Sequence, residues 1–582
     1  MTGCAILTLF MAAMLLLLYL RAFKLNYAYF VFQCDHCVAG YVILHDAPLL
    51  CAILALFTVS FLFRSALLRL LLRILALGGL LVYGLDIAVS QQFFTRLHFS
   101  DILIYATQPD IVLGHIGRTG ILPGPPALWG VITGILLLTI VCWPALTRCR
   151  RGWYLLTAAA ILIGGISLLI PARYHWSLIN VVAANWKDSS RTPYSETFKQ
   201  TMLAAPETPH CIPGRHTRDN YIILIMESWS YSDSKLFSDI HDWTPRIDQI
   251  ARDNTWFSHF YASGFSTNNG LMALLAGIEV GIPTVMPNSG LGKPHDTPFI
   301  YWNIERTLPS LLNARGYATS FLTTGDLSFT SKDKWLQNIG FSHVEGHEHP
   351  FYNGMPRMGF DAAPDSALYA RVIQHADELR RQGTPFLIAV ENVSTHNPFI
   401  HPVTEERGKE AVTRYMDDTV ADFYQALKQS GFFEHGKLLI VSDHRAMEFV
   451  TKEEYQTLGR SAMSRIPAVW VGHDIPRGRM DTVFHQADLI DTIDYNTAEK
   501  YCSAHGLHNM FDTTHNTPRC VFHGRGDDRS LVDVFCDQGE GTIQLDGDHT
   551  RMIESENLSA AEADALVQQL NRYRIRMEPM MQ

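Results

Sequence analysis

Five nearly uncharged apolar runs dominate the first part of the chain, at about Ala5 to Leu20, Ala47 to Phe63, Leu70 to Val89, Ala127 to Leu146 and Trp153 to Ala172. A bilayer's hydrocarbon core of roughly 30 Å takes about 20 apolar helical residues. Each run is long enough to cross it, or nearly so, the first two being short. One such run is compatible with a buried core helix; five in succession predict membrane insertion. The first does not read as a cleaved leader, because MTGC offers no basic start and no small-x-small site follows before Arg21. Arg64, Arg69 and Arg73 surround one connection and Arg148, Arg150 and Arg151 fill another, whereas the longer loops carry only Arg21 and Lys24, and Arg96 and Arg118. The positive-inside rule puts the arginine-rich loops in the cytoplasm, and five spans then leave everything after Ala172 outside. Asp86, the acidic residue within these runs, reads as interfacial from its place near a span end.

The rest of the 582 residues has an ordinary globular mix, so at least two units of different character are expected. We divide the chain into a transmembrane domain over 1–172, a juxtamembrane amphipathic segment and linker over 173–218, an α/β domain over 219–515, and a small C-terminal subdomain over 516–582. NVVAANWKDSS suits a surface-lying segment, and PETPHCIPGRHTR suits a linker. From Asp219 onward short apolar runs, YIILIM, YATSFLT, PFLIAVEN, KLLIVS and PAVWVG, alternate with helical patterns at Thr244–Ala251, Ile304–Ala314, Ala363–Arg381 and Lys409–Gln429. Strands apolar throughout and interleaved with helices predict a largely parallel sheet covered on both faces. PRCVFHGRGDDRSLVDVFC then reads as an antiparallel hairpin turning at Gly524–Asp528, followed by TIQL and a last helix from about Ala560 to Arg576.

A net charge of -10 argues against a nucleic-acid partner, since phosphate binding needs a basic surface. Cys211, Cys502, Cys520 and Cys536 form an even set in the outer part, with three possible connectivities. Cys34 and Cys37 make a C-x-x-C without the partners of a metal or thioredoxin-like centre, and read as a local disulfide or free thiols.

Open α/β sheets gather chemistry at the carboxyl ends of their strands, and the polar strand ends here are informative. LIMESWS runs into Glu227, and LIVSDHRAM into Asp443 and His444. Carboxylates and imidazole are ligands for Zn²⁺ or Mn²⁺; singly, each reads more simply as a polar residue ending a strand, and their joint placement on one sheet favours the metal. GFSTNNGLMALLAG places a polar, glycine-containing turn before a helix. A hydroxyl at a helix start lies where N–H groups and the dipole stabilise negative charge, although from local sequence alone an ordinary N-cap is the better account of Ser or Thr there.

ESWS, GFSTNNG, THNPF and SDH, following the apolar runs in this order, resemble the lipoteichoic acid synthase branch of the alkaline phosphatase and sulfatase superfamily. The resemblance implies that 219–515 is an extracytoplasmic, sulfatase-like catalytic domain on a bacterial-type cytoplasmic membrane. It implies one divalent metal, Mn²⁺ or Zn²⁺, held by Glu227, Thr267, Asp443 and His444, with Thr267 as nucleophile and His396 of STHNPF on the substrate side. VFHQADLIDTI resembles a late segment of the superfamily, making His485 and Asp488 weaker candidates. The chain departs where the synthases have His-Gly followed by F-W-N-R: it has Thr323-Thr324 and FTSKD, so that Lys332, with Asp333 beside it, stands where a guanidinium is expected. A lysine is a point charge without the bidentate fork. Tyr352, Asn353 and Arg357, in HPFYNGMPRMGFDAAPD, are further candidates for acceptor or headgroup contact, against a structural loop.

The activity implied is transfer of a phospho-headgroup, phosphoglycerol before phosphoethanolamine, from a membrane phospholipid to a cell-envelope glycan or glycolipid through a covalent Thr267 intermediate. A phosphodiesterase or sulfatase-type hydrolase is one rival, although SGFSTNNG contains neither C-x-P-x-R nor S-x-P-x-R. A catalytically silent lipid-binding regulatory protein is the other; loss of metal residues would mark it, and all four are present.

Overall fold

The computed structural model describes residues 2–24, 39–99, 102, 150–168, 178–186, 193–204, 208–280 and 306–580. Two compact units emerge, one built on the N-terminal helices and one on the chain from Ser189 onward.

The first unit contains α1 (Thr2–Tyr19), α2 (Ala39–Val59), α3 (Ala66–Phe93), α4 (Arg150–Leu168) and the short α5 (Val181–Trp186). Among the described residues two helices, α2 with 21 residues and α3 with 28, are long and apolar enough to cross a membrane. The expected count of five is therefore corrected to these two: α1 and α4 contribute shorter apolar stretches, Phe10–Phe23 and Thr157–Leu168, and the run at Ala127–Leu146 lies outside the described residues, as does the Cys34/Cys37 pair. α2 starts well before Ala47 because the helix continues through His45, Asp46 and Pro48, residues whose polarity reads as loop in a hydropathy pattern. Asp46 is buried there, accepting from Arg21 Nε at 2.5 Å and Tyr83 Oη at 2.6 Å. Asp86 is likewise buried instead of interfacial, with Arg96 at 2.9 and 2.6 Å and the Leu97 N–H at 3.0 Å. A charge buried among apolar helices persists only when paired in this way.

The second unit is built on an eight-stranded sheet of order β10-β3-β9-β8-β2-β7-β5-β6. In chain order the unit's strands are β1 (His210–Pro213), β2 (Asn220–Met226), β3 (Thr255–Phe257), β4 (Phe260–Tyr261), β5 (Ala318–Thr323), β6 (His343–Glu345), β7 (Phe386–Glu391), β8 (Gly436–Ser442), β9 (Ala468–Val471), β10 (Gly478–Met480), β11 (Phe484–His485) and β12 (Lys500–Ser503). The sheet is mixed, not simply parallel: β9, the PAVWVG segment, runs antiparallel to both β8 and β3, and the other pairings are parallel. Its helices include α6 (Pro245–Asp253), α7 (Thr267–Ala276), α8 (Leu308–Asn313), α9 (Asp365–Gln382), α10 (Lys409–Gln429) and α11 (Asp488–Thr497), with further short ones between them. β2 shows why its run is apolar throughout: Tyr221, Ile223 and Ile225 enter one core, and Ile222, Leu224 and Met226 enter the core on the opposite face.

At the C-terminus β13 (Cys520–Gly524), β14 (Leu531–Cys536), β15 (Glu540–Gln544) and β16 (Arg551–Glu556) form an antiparallel sheet, followed by α12 (Ala560–Met580). The hairpin and final helix stand as expected; β16, whose residues are mostly exposed, is added. Two disulfides join the soluble cysteines among the described residues, Cys211–Cys502 and Cys520–Cys536. Each links directly opposed residues of paired strands, β1 with β12 and β13 with β14, so strand register selects one of the three connectivities.

Candidate active site

β2 runs into Glu227 and β8 into Asp443 and His444, and the strands are parallel neighbours with Met226 opposite Ser442. Three polar residues thus emerge side by side at the carboxyl rim, all buried, at 4%, 0% and 0% exposure. His444 Nε2 lies 3.2 Å from Asp443 Oδ2 and 3.6 Å from Glu227 Oε1.

Thr267 opens α7, and the N-cap position before it belongs to Ser266. The Thr267 hydroxyl is therefore free of capping duty: it donates to Glu227 Oε2 at 3.1 Å and lies 3.3 Å from His444 Nε2. Beyond its polar first turn α7 is apolar on every side because it is buried on every side, with Leu271, Met272, Leu274 and Leu275 all in the core. It stops at Gly277, whose φ of 69° is the left-handed conformation of a helix C-cap.

A polar frame aims these groups. Ser228, with φ 57°, turns the chain so that its N–H donates to Asp443 Oδ1 at 2.8 Å and its hydroxyl to Glu227 Oε1 at 2.7 Å. Asn392 Oδ1 accepts the Glu227 N–H at 2.6 Å, and the Thr395 hydroxyl donates to the Glu227 carbonyl at 2.6 Å. The Gln486 amide donates to the carbonyls of Ser442 and Asp443 at 2.9 and 2.6 Å while its oxygen accepts from Ser263 N at 2.9 Å. One side chain thereby ties the loop before Thr267 to the strand that carries Asp443.

The residues fit a divalent cation. Burial and the charge of Glu227 push the Asp443 carboxyl up; burial acts the same way on Glu227, but the His396 and His444 imidazoles outweigh it and hold that carboxyl below its usual value. Asp443 Oδ2 has no hydrogen-bond donor although it is buried. Two crowded carboxylates, one with an orphaned oxygen, an imidazole and a hydroxyl are the donor set that Zn²⁺ or Mn²⁺ accepts.

The remaining candidates divide. His396 follows β7, close enough to act electrostatically on Glu227, with the Phe360 ring edge-on at 4.8 Å. Lys332 is not a bare cation: its Nζ is 2.7 and 2.9 Å from the two oxygens of Glu391. Asp333 is a first-turn acid of the short helix Lys332–Asn338, the position a helix dipole favours. Arg357 donates to the carbonyls of His347, Tyr352 and Asp361 at 3.0, 3.1 and 2.9 Å, holding its own loop. Tyr352 is fully buried and Asn353 exposed. His485 is buried in β11, kept neutral by burial and by Arg519, and Asp488 accepts its N–H at 2.8 Å. Glu391 and Asn392 were missed by sequence reasoning, yet PFLIAVEN ends on them just as LIM ends on Glu227, and the same strand-end rule finds them.

Residues 219–493 match the sulfatase family model. Phosphoglycerol transferase I from Escherichia fergusonii is 24% identical over 395 residues, covering 64% of this chain and 48% of that protein. The protein of that name from Escherichia coli O6:K15:H31 is 26% identical over 395 residues, with the same coverage. The chain thus spans about half the length of the curated relatives it matches. Among solved structures, a protein in the alkaline phosphatase superfamily from Vibrio parahaemolyticus superposes with a TM-score of 0.54 at 16% identity, covering 68% of this chain and 98% of that one. Residues 219–493 thus match the sulfatase family model on a fold shared with a protein of the alkaline phosphatase superfamily, and part of the chain is similar in sequence to phosphoglycerol transferase I.

Proposed function

We propose that the chain is a membrane-anchored phosphotransferase that moves phosphoglycerol, with phosphoethanolamine as second choice, from a phospholipid to a cell-envelope glycan or glycolipid through a covalent intermediate on Thr267. The observation that carries this is the Thr267 hydroxyl, at the start of a buried helix and within 3.1 and 3.3 Å of Glu227 and His444. The name of the relatives favours phosphoglycerol over the alternative. α2 and α3 supply the bilayer anchor that brings a lipid donor within reach. The two disulfides favour an oxidising, extracytoplasmic compartment for the catalytic unit.

A bound Zn²⁺ or Mn²⁺ held by Glu227, Asp443, His444 and the Thr267 oxygen supplies Lewis-acid stabilisation of developing negative charge. The chain's own residues do the rest. Thr267 Oγ1 forms a bond to phosphorus as the bond to the diacylglycerol oxygen breaks; the threonine proton goes to solvent, and His396 protonates the departing oxygen. In the second step an acceptor hydroxyl gives its proton to His396 and attacks phosphorus, and the bond to the threonine oxygen breaks as that oxygen regains a proton from solvent. The first turn of α7 points its N–H groups and positive dipole end toward the charge that accumulates beside Thr267.

Mass spectrometry of the full chain after incubation with phospholipid alone tests the reading. The Thr267 peptide is expected to gain about 154 Da for glycerophosphate, or about 123 Da for phosphoethanolamine. Turnover with no adduct on Thr267 overturns it.

A further inference from the structure

β6 is the edge strand of the central sheet, three strands from β2, roughly 14 Å at the usual strand spacing. It carries His343 and Glu345, which no step above uses. His343 Nε2 lies 2.6 Å from Glu345 Oε1, and the His343 ring stacks on that of His375 from α9, with centroids 5.1 Å apart. One ligand atom from each of His343, Glu345 and His375 lies within 4.8 Å of the others. We propose that these three residues form a second divalent-cation site, of zinc type, distinct from the catalytic centre.

Three features point to a cation. His375 is only 8% exposed, yet its Nδ1 has no hydrogen-bond partner. Its Nε2 is 2.8 Å from Ser320 Oγ, and that bond orients the ring when Nδ1 ligates, as metal-binding imidazoles require. Glu345 is anchored by Arg371, at 3.0 Å from Nε and 2.5 Å from Nη2; a carboxylate with about four lone-pair positions retains one for a metal. With Glu345 and Glu378 against Arg371, the group carries one net negative charge when the imidazoles are neutral, which suits a divalent cation. His349 Nε2, 3.7 Å from Glu345 Oε1, is the nearest further ligand, and His343, with 45% of its side chain exposed, opens the group to solvent.

A cation here would also steady the loop that leaves β6. That loop is held by Arg357 through the carbonyls of His347, Tyr352 and Asp361, and its Phe360 packs edge-on against His396 at 4.8 Å. The loop that leaves the edge site therefore also touches the substrate-side histidine.

The test uses the full chain in detergent, stripped with chelator, recharged with Zn²⁺ alone, gel-filtered and analysed for metal. His343→Gln, at a half-exposed position that folding tolerates, and His375→Gln are each expected to hold one zinc equivalent fewer than the parent. The same difference is expected in a Glu227→Gln background, which perturbs the catalytic centre, so the outcome does not depend on the function proposed above. Cobalt in place of zinc should lose one tetrahedral absorption component in His343→Gln. Equal zinc content in parent and His343→Gln overturns the proposal.

Discussion

Gly270, one turn into α7, abuts the backbone of Asp443: a Cβ there would lie 2.3 Å from the Asp443 carbonyl oxygen. The helix carrying Thr267, the proposed nucleophile, is thus docked directly on the strand end that carries two candidate ligands. Gly270→Ala should force α7 away from that carbonyl, with an overpacking cost of about 1–3 kcal/mol. Because small misplacements of reacting groups are costly, transfer should fall by about 10²-fold. Thermal denaturation and a headgroup-release assay on one preparation check both.

Thr267→Ala should abolish the covalent adduct and reduce transfer by about 10³-fold or more, while Thr267→Ser keeps an oxygen at the same place and retains measurable turnover. Release of free headgroup at equal rates with and without a glycan acceptor would identify a hydrolase instead.

Lys332 and Glu391 are both largely buried, with 13% and 5% of their side chains exposed. Lys332→Met should therefore leave an uncompensated carboxylate and cost about 3–5 kcal/mol, whereas Lys332→Met with Glu391→Gln should recover most of that stability. Melting temperatures of the single and double variants measure the difference, and transfer activity of the double variant reports whether the pair serves the substrate as well as the fold.

Asp417 accepts the N–H groups of Arg246 and Ile247 at 3.0 and 2.7 Å, capping the start of α6 from α10. Burial pushes its carboxyl up to about 6 despite those bonds. A carboxyl raised above its unfolded value of about 4 binds more protons in the native state across that interval, so its contribution to stability is present below about pH 4 and lost as pH rises through 6. Asp417→Asn should flatten the pH dependence of the melting temperature between pH 4 and 6; an unchanged slope would contradict this assignment.

Chelation should lower the melting temperature, because an ion bound by the folded chain stabilises it and that contribution is then lost. Re-addition of Zn²⁺ or Mn²⁺ should restore it, and the more effective ion identifies the better fit.

The sequence by itself determined the elements whose physics is local or periodic. Runs apolar at every position, such as Tyr221 to Met226 and Leu438 to Val441, suit strands buried on both faces, and the polar residues ending such strands share a rim. α10 was legible to both ends, Lys409 and Gln429, because an amphipathic repeat flanked by turn residues has one solution. Tertiary structure alone decided the rest. The direction of β9 leaves no trace in composition, since an apolar strand reads the same both ways. Helix α2 absorbs Asp46 because Arg21 and Tyr83, distant in the chain, neutralise and hydrogen-bond it. The disulfide partners follow from register, and Lys332 meets Glu391 across 59 positions. Such pairings arise only when the sheet brings distant segments together, and a side chain's partner, more than its type, sets its charge state and its function.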